Sequence, residues 1–297
     1  MSNRDSSFVQ RDSVRRRIWL CADDYGISHG VNAAIRELIM RGRLNATSVM
    51  VLAPHFDRGD ARSLQMLNAG TKRVALGLHL TLTGPFEPVS ESFMPVRNGR
   101  FLPMQTMQLT ALARRLNRGA LKLEIAAQIH AFAGAFGQLP DFIDGHQHVH
   151  LFPQVREALL EVMSQVTPKA WARQCGRARA AKRLRDPKAL TLDLLSSSFR
   201  RKAAKAGIAT NPAFAGSYNF TKRAGFAELF PRFLNGLPDG GLIMCHPGFV
   251  DAELKRLDSL THLREREYEF FMSDDFPKLL KAHNVALGRP PGKALQA

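Results

Sequence analysis

Short apolar runs alternate along this chain with longer amphipathic stretches, and this alternation restricts the fold more than any other feature. The runs predict strands at residues 17–22, 47–53, 73–78, 141–144, 169–173, 240–245 and 285–287. The stretches between them predict helices at residues 31–41, 56–67, 106–117, 121–136, 154–165, 222–234 and 260–282, the last interrupted near Pro277. Such alternation is typical of βα repeats around a parallel sheet. We therefore predict an α/β fold, a single (β/α) barrel with seven or eight strands. An open doubly wound sheet is the alternative, but the chain has no GxGxxG motif or P-loop to support it.

The chain length and composition are those of one globular domain. It has 297 residues, of which 45% are hydrophobic and 23% charged, and a core of this size fits one large α/β domain. We place the domain at residues 17–288, between a flexible N-terminal lead (1–16) and a flexible tail (289–297). The three cysteines are scattered along the chain, which favours reduced thiols and a cytoplasmic location. No apolar run reaches the length of about 18 residues that a membrane-spanning helix requires.

Positive charge is concentrated in one segment. The net charge is +16, and residues 173–205 contain eleven Lys and Arg against two acidic residues, which is +9 of that total. Such a patch favours nucleic acid, an anionic membrane surface or an acidic substrate, and a merely solvated basic surface is the alternative. An aromatic content of only 8% and the lack of a reading motif argue against a nucleic-acid partner.

Acidic and histidine side chains follow four of the predicted strands. They are Asp23, Asp24, His79, His146 and His246. In a β/α barrel the active site is built from the carboxyl ends of several strands, so these residues should meet at one rim. A purely structural role is a poor explanation, because adjacent buried carboxylates repel each other and are costly to desolvate.

One of these strands leads into a cluster of histidines. Asp144 is followed by His146, His148 and His150 before Pro153, at a predicted junction between a strand and a helix. Imidazole is the commonest transition-metal ligand and titrates near neutral pH, so the cluster favours metal binding or proton transfer. We expect His148 and His150 to orient His146 or to contact substrate, and Asp144 likewise to support the ligands or to bind substrate.

The strand-end residues suit metal-assisted hydrolysis of an amide or ester. One carboxylate and two imidazoles make a three-ligand site with room for water, and a second carboxylate nearby can act as general base. The Asp pair would supply ligand and base, His79 and His146 the nitrogens, and His246 an acid for the leaving group. Arg173, at another strand end, is expected to bind substrate hydroxyls or to orient Asp23. A different metal-dependent hydrolase, such as a phosphodiesterase, is an alternative, and a basic nucleic-acid-binding protein is a second.

Four motifs carry a resemblance to a known family. They are Ala22-Asp-Asp-Tyr-Gly26 with Gly30-Val-Asn32, Gly77-Leu-His-Leu-Thr-Leu-Thr83, Asp144-Gly-His-Gln-His-Val-His150 and Cys245-His-Pro-Gly248. In order and spacing they resemble the YdjC-like carbohydrate deacetylases, from about residue 17 to 287. That family includes chitooligosaccharide deacetylases and relatives associated with hopanoid biosynthesis, and Asn32-Ala-Ala-Ile and Tyr218-Asn219 resemble the second group. Tyr25 stands where the family usually has Phe.

The resemblance implies a deacetylase that acts on N-acetylated sugars with one divalent metal ion. It implies Asp23 as the general base, Asp24, His79 and His146 as metal ligands, and His246 beside the leaving group. Family precedent indicates Mg, although these donors also accept Zn, Co or Mn. The expected partner is an N-acetylated saccharide or a glycolipid, and homo-oligomers stay open. Residues 173–205 match no family motif, and we expect them to make peripheral contact with an anionic membrane.

Overall fold

The computed structural model describes residues 15–68, 74–178, 187–218 and 225–288. Its strands are β1 (Arg16–Tyr25), β2 (Ala46–Val49), β3 (Ala75–Leu80), β4 (Val96–Arg97), β5 (Arg100–Phe101), β6 (Phe142–Gly145), β7 (Trp171–Ala172), β8 (Phe214–Ala215), β9 (Leu242–Cys245) and β10 (Val285–Leu287). Its α-helices are α1 (His29–Met40), α2 (Arg58–Met66), α3 (Met104–Leu112), α4 (Arg118–Phe136), α5 (Val155–Val166), α6 (Pro187–Lys205), α7 (Phe226–Leu234), α8 (Ala252–Leu257), α9 (Arg264–Met272) and α10 (Asp275–Ala282), and His146–Leu151 form a 3₁₀ helix. Most of the predicted lead and tail lies outside these ranges.

Eight parallel strands form one curled sheet. The strand order is β7-β6-β3-β2-β1-β9-β8, and β10 pairs with β1. Two isolated parallel bridges, Ala172 with Thr210 and Arg177 with Phe214, connect the two edges of this sheet. Helices connect most of the successive strands, which is the right-handed βα arrangement expected for a parallel sheet. The predicted barrel-like α/β fold is confirmed.

Several predicted boundaries differ from the structure. β1 runs on through Asp23 and Asp24 to Tyr25, with a register shift against β2 between Ala22 and Tyr25. The short strand β8 lies in a stretch for which the apolar runs predicted no strand. The predicted C-terminal helix is two helices, α9 and α10, separated at residues 273–274. Pro277 lies in the first turn of α10, where the missing N–H breaks no helical hydrogen bond.

The helix after β1 begins at a separate cap. The side chain of Ser28 accepts a hydrogen bond from the N–H of Val31 at the start of α1. Ser is among the preferred N-cap residues, so Asp23 and Asp24 are not needed to start this helix. Their carboxylates are therefore available to the rim of the barrel.

The interior of the barrel is layered because alternate strand residues point inward. At one level Trp171 stacks on Phe142 with ring centroids 4.5 Å apart, and Trp19 lies 5.7 Å from Trp171. A Cβ on Gly77 would lie 2.4 Å from the ring of Phe142, so only glycine fits beside this aromatic layer. Phe142 lies two residues before Asp144, Trp171 two residues before Arg173, and Trp19 four residues before Asp23. These three polar side chains lie nearer the carboxyl ends of the strands than the aromatic rings do.

Among the described residues, no helix is both long and apolar enough to cross a membrane.

Candidate metal and catalytic site

Three predicted ligands converge at the carboxyl ends of the strands. Asp24 Oδ1 lies 3.2 Å from His79 Nε2 and 3.1 Å from His146 Nδ1. Asp24 adopts a left-handed backbone conformation with φ of 67°, which turns its side chain at the bulged end of β1. The donor atoms of the three residues lie within 4.8 Å of one another, and all three side chains are buried. This spacing suits a single cation between them.

His79 is held from behind by Asp144. Its Nδ1 lies 2.6 Å from Asp144 Oδ1 and 3.0 Å from the Ser48 hydroxyl. Because a carboxylate only accepts, Nδ1 carries a proton and Nε2 faces Asp24. Burial lowers the pKa of His79, but the Asp144 carboxylate and then Asp24 outweigh it and raise that pKa to about 10. The site thus favours positive charge at the position of His79 Nε2.

Asp23 lies beside the three ligands and is bound by Arg173. The guanidinium of Arg173 donates to both Asp23 oxygens, at 2.7 and 2.5 Å, and also contacts Asp144 Oδ2. Arg173 is fully buried. Burial would raise the pKa of Asp23, but the charge and hydrogen bonds of Arg173 lower it to about 2. The structure therefore places Arg173 against Asp23, and no Arg173 surface is left for substrate hydroxyls.

A second buried arginine was missed by the sequence analysis. Arg264, at the start of α9, donates to Asp24 Oδ2 and to Asp258 Oδ2, both at 2.7 Å. Burial raises the pKa of Asp24, yet Arg264 and then the two histidines hold it well below its usual value. Arg264 belongs to an Arg- and Glu-rich run that looks like a solvated helix, so the sequence carries no signal for it.

His246 lies across the cleft, anchored by its backbone. The His246 N–H donates to Glu267 Oε2 at 2.6 Å, and the Tyr218 hydroxyl donates to Glu267 Oε1 at 2.6 Å. Glu267 and Tyr218 were also missed as parts of the site, because Glu267 contacts only the backbone of His246 and Tyr218 contacts Glu267. The cleft of about 200 Å³ is lined by Asp23, Asp24, His79, Gly145, His146, Gln147, His148, Met244, His246, Asp258 and Leu260.

The other two histidines of the cluster point in different directions. Gln147 and His148 have φ values of 53° and 58°, so the chain turns and the three histidines do not share a face. His148 reaches the cleft, with Nδ1 3.5 Å from Cys175 Sγ. His150 Nε2 instead donates to the Arg173 carbonyl at 2.9 Å. Neither hydrogen-bonds to His146 within the described chain; His148 lines the cleft, and His150 supports the segment that carries Arg173.

Part of the basic segment is turned inward. Arg173 binds Asp23, Arg177 pairs with Asp193 at 2.9 Å, and Lys202 pairs with Glu157 at 3.2 Å. Residues 179–186 lie outside the described ranges. The charge that this segment presents to a partner is therefore smaller than the sequence total indicates. Membrane contact through residues 173–205 stays a prediction.

Comparison with known proteins identifies the family. The family model described as YdjC-like protein matches residues 17–282. The chain belongs to the YdjC-like family. A chitooligosaccharide deacetylase of Klebsiella pneumoniae is 30% identical over 245 residues, covering 80% of this chain and 84% of the relative. A carbohydrate deacetylase of Vibrio vulnificus is 24% identical over 271 residues, covering 89% and 91%.

A solved structure shares the fold of this YdjC-like protein. It is named as a cellobiose-phosphate cleavage protein of Enterococcus faecalis and superposes with a TM-score of 0.70. The two chains are 20% identical, and the match covers 93% of this chain and 97% of the other. At that identity the comparison supports the fold alone. The resemblance that the four motifs indicated is confirmed at the level of the family.

Proposed function

We propose that this YdjC-like protein is a metal-dependent deacetylase that hydrolyses the N-acetyl amide of a saccharide. The observation that carries the proposal is the position of Asp24 Oδ1, 3.2 Å from His79 Nε2 and 3.1 Å from His146 Nδ1, beside the ionised Asp23. One carboxylate and two imidazoles leave coordination positions open for substrate and water. The names of the relatives supply the substrate class.

The donor set supports one divalent cation as the cofactor. Asp144 fixes the His79 proton on Nδ1, which leaves Nε2 as a metal-binding nitrogen in the usual carboxylate–histidine arrangement. The pKa of His79, raised to about 10 by Asp144 and then Asp24 despite burial, supports this proposal because these carboxylates stabilise positive charge where the cation would bind. When bound, a divalent cation polarises the amide carbonyl and lowers the pKa of a water molecule. Mg, Zn, Co and Mn all accept this set of donors.

Asp23 is the general base in this proposal. Its pKa of about 2 keeps it ionised at neutral pH, and the two Arg173 hydrogen bonds hold both oxygens in place. A carboxylate of such low pKa is a weak base. Such a base can accept a proton only from a water molecule whose own pKa has been lowered. The base and the three metal ligands must therefore line the same cleft. Arg173 acts through Asp23 and is a positioning residue.

His246 is the general acid in this proposal. It lines the cleft on the wall formed by β9, and its backbone is fixed by Glu267. An amine leaves readily only when it is protonated, so an imidazole within reach of the amide nitrogen completes the reaction. His148 lines the same cleft and would contact the sugar.

Phosphodiester hydrolysis is less well supported. Phosphate sites use convergent cationic side chains to bind the transferring group. The two arginines at this site, Arg173 and Arg264, are fully buried and pair with Asp23, Asp24, Asp144 and Asp258. Neither guanidinium faces the cleft, so a neutral amide is the better substrate.

The test is acetate release by reconstituted enzyme. Metal-free protein is loaded separately with Mg, Mn, Co or Zn and offered N,N′-diacetylchitobiose and a lipid-linked N-acetylglucosamine, which distinguishes an oligosaccharide from a glycolipid substrate. Asp23→Asn should lower turnover about 10²- to 10⁴-fold while elemental analysis finds the metal retained. Asp193→Asn, which removes a carboxylate from an arginine pair elsewhere, is the matched control. Acetate release from neither substrate with any metal, or full activity in Asp23→Asn, would refute the proposal.

A further inference from the structure

A large cavity lies at the end of the barrel opposite to the catalytic cleft. Its volume is about 700 Å³, within the range of about 300–1,000 Å³ that small-molecule sites occupy. Its wall includes Ala75 and Trp171, the first residues of β3 and β7, and Asn45, which precedes β2. The amino ends of the strands therefore form this cavity, whereas the carboxyl ends form the cleft.

The wall of the cavity is mainly apolar. Trp19 and Trp171 lie at its inner end, and prolines, alanines and branched aliphatic residues make up most of the remainder. The two indoles are 4% and 6% exposed, and they pack with Phe142 in the aromatic layer of the barrel. A ligand that enters this space buries an apolar body against that layer.

Two hydrogen-bond donors of the wall are not engaged by the described residues. Trp19 Nε1 is buried and has no hydrogen-bond partner within the described chain, which is costly for an indole N–H. Lys169 is exposed at the mouth and has no carboxylate partner there. Asn45 already bonds to the backbone of β1 through both amide atoms.

Asp141 is the one carboxylate in the wall. Its Oδ2 accepts the N–H of Leu76 at 2.9 Å, so it is engaged in the sheet.

We propose that this cavity binds an apolar monocarboxylate, a molecule of fatty-acid or aromatic-acid type. The carboxylate binds at Lys169, and the apolar body extends to the two tryptophans. The site is separate from the catalytic cleft and needs no metal ion. Ligand binding in this cavity can therefore be tested independently of the deacetylase activity.

Intrinsic fluorescence tests the proposal directly, because the chain has only two tryptophans and both line the cavity. The full-length protein is titrated with decanoate below its micellar concentration and, in parallel, with decanol. We expect a saturable change in tryptophan emission with decanoate and weaker binding of decanol. Lys169→Met should weaken decanoate about two- to fivefold, as expected for loss of one exposed charge interaction.

Two further variants separate the site from general effects. Trp19→Phe keeps an aromatic ring, leaves Trp171 as reporter and should bind decanoate with nearly wild-type affinity, because the ligand makes only apolar contact there. Ala209→Phe places a ring in the cavity wall and should abolish binding with an unchanged circular dichroism spectrum. Lys255→Met, an exposed lysine on α8, is the matched control and should bind as wild type. The proposal is wrong if no saturable change occurs, if decanol binds as tightly as decanoate, or if Lys169→Met and Lys255→Met behave alike.

Discussion

Asp144 offers the sharpest test of how the ligand set is held. It is fully buried, its Oδ1 lies 2.6 Å from His79 Nδ1, and its Oδ2 contacts Arg173. Asp144→Asn preserves the size of the side chain but removes its charge. The asparagine amide can donate to Nδ1 as well as accept from it, which permits the tautomer with the proton on Nε2. In that tautomer His79 cannot bind a cation, so we expect weaker metal binding.

The expected magnitude follows from the geometry. A hydrogen bond to a charged group contributes about 1.5–3 kcal/mol, and about 1.4 kcal/mol corresponds to a tenfold change in an equilibrium constant. Loss of the Asp144 bond should therefore raise the metal dissociation constant about 10- to 100-fold. Loss of the carboxylate behind a metal-binding histidine weakens metal affinity by a similar factor in other proteins.

Isothermal titration of metal-free protein with Mn²⁺ or Zn²⁺ measures this change. The Asp193→Asn variant is again the control, because it removes a buried carboxylate from the Arg177 pair without touching the ligands. Excess metal should restore part of the acetate release of Asp144→Asn. An unchanged dissociation constant in Asp144→Asn would refute the assignment of Asp144 as the residue that orients His79.

Three other outcomes are expected. His246→Ala should lower kcat about 10²- to 10⁴-fold with little change in metal content; steady-state kinetics and elemental analysis check this, and wild-type kcat would exclude His246 as the acid. Arg264→Met leaves the buried Asp24 carboxylate without its guanidinium and should cost about 3–5 kcal/mol of unfolding free energy. Urea unfolding measures this loss of stability. As a control, Arg62→Met at an exposed position should change the free energy of unfolding by less than about 0.5 kcal/mol. Equal losses in the two variants would contradict the role of Arg264. Treatment with EDTA should abolish acetate release and a divalent ion should restore it, whereas activity that survives complete metal removal would exclude the metal-dependent reaction.

The strand-end residues could be predicted because each lies within two residues of the end of an apolar run. Asp23, His79 and His246 are next to residues of a buried strand, so the run and its polar end are visible together. A parallel barrel then places those ends at one rim whatever the details of the loops. For the same reason β8, with two residues among glycines and prolines, gave no apolar run to recognise.

The supporting residues could not be predicted because their partners are distant in sequence. Arg264 and Asp24 are separated by 240 residues, and Arg264 looks like one charge among several on a surface helix. The left-handed conformations of Asp24 and His148 also carry no sequence signal, since they depend on the packed bulge and the turn after β6. These conformations decide which way the carboxylate and the imidazole point.

The hydrogen-bonded network at the rim also determines its electrostatic balance. Four carboxylates, Asp23, Asp24, Asp144 and Asp258, are joined to only two guanidinium groups, those of Arg173 and Arg264. With His79 and His146 neutral, as they would be when bound to a metal ion, two negative charges remain uncompensated among these six groups. In the proposed metal-bound state, one divalent cation would bring them to electroneutrality, whereas a monovalent ion would leave them anionic and a trivalent ion would overcharge them. A neutral acetamido group would leave this net charge unchanged. A phosphate dianion would again leave two excess negative charges at the site.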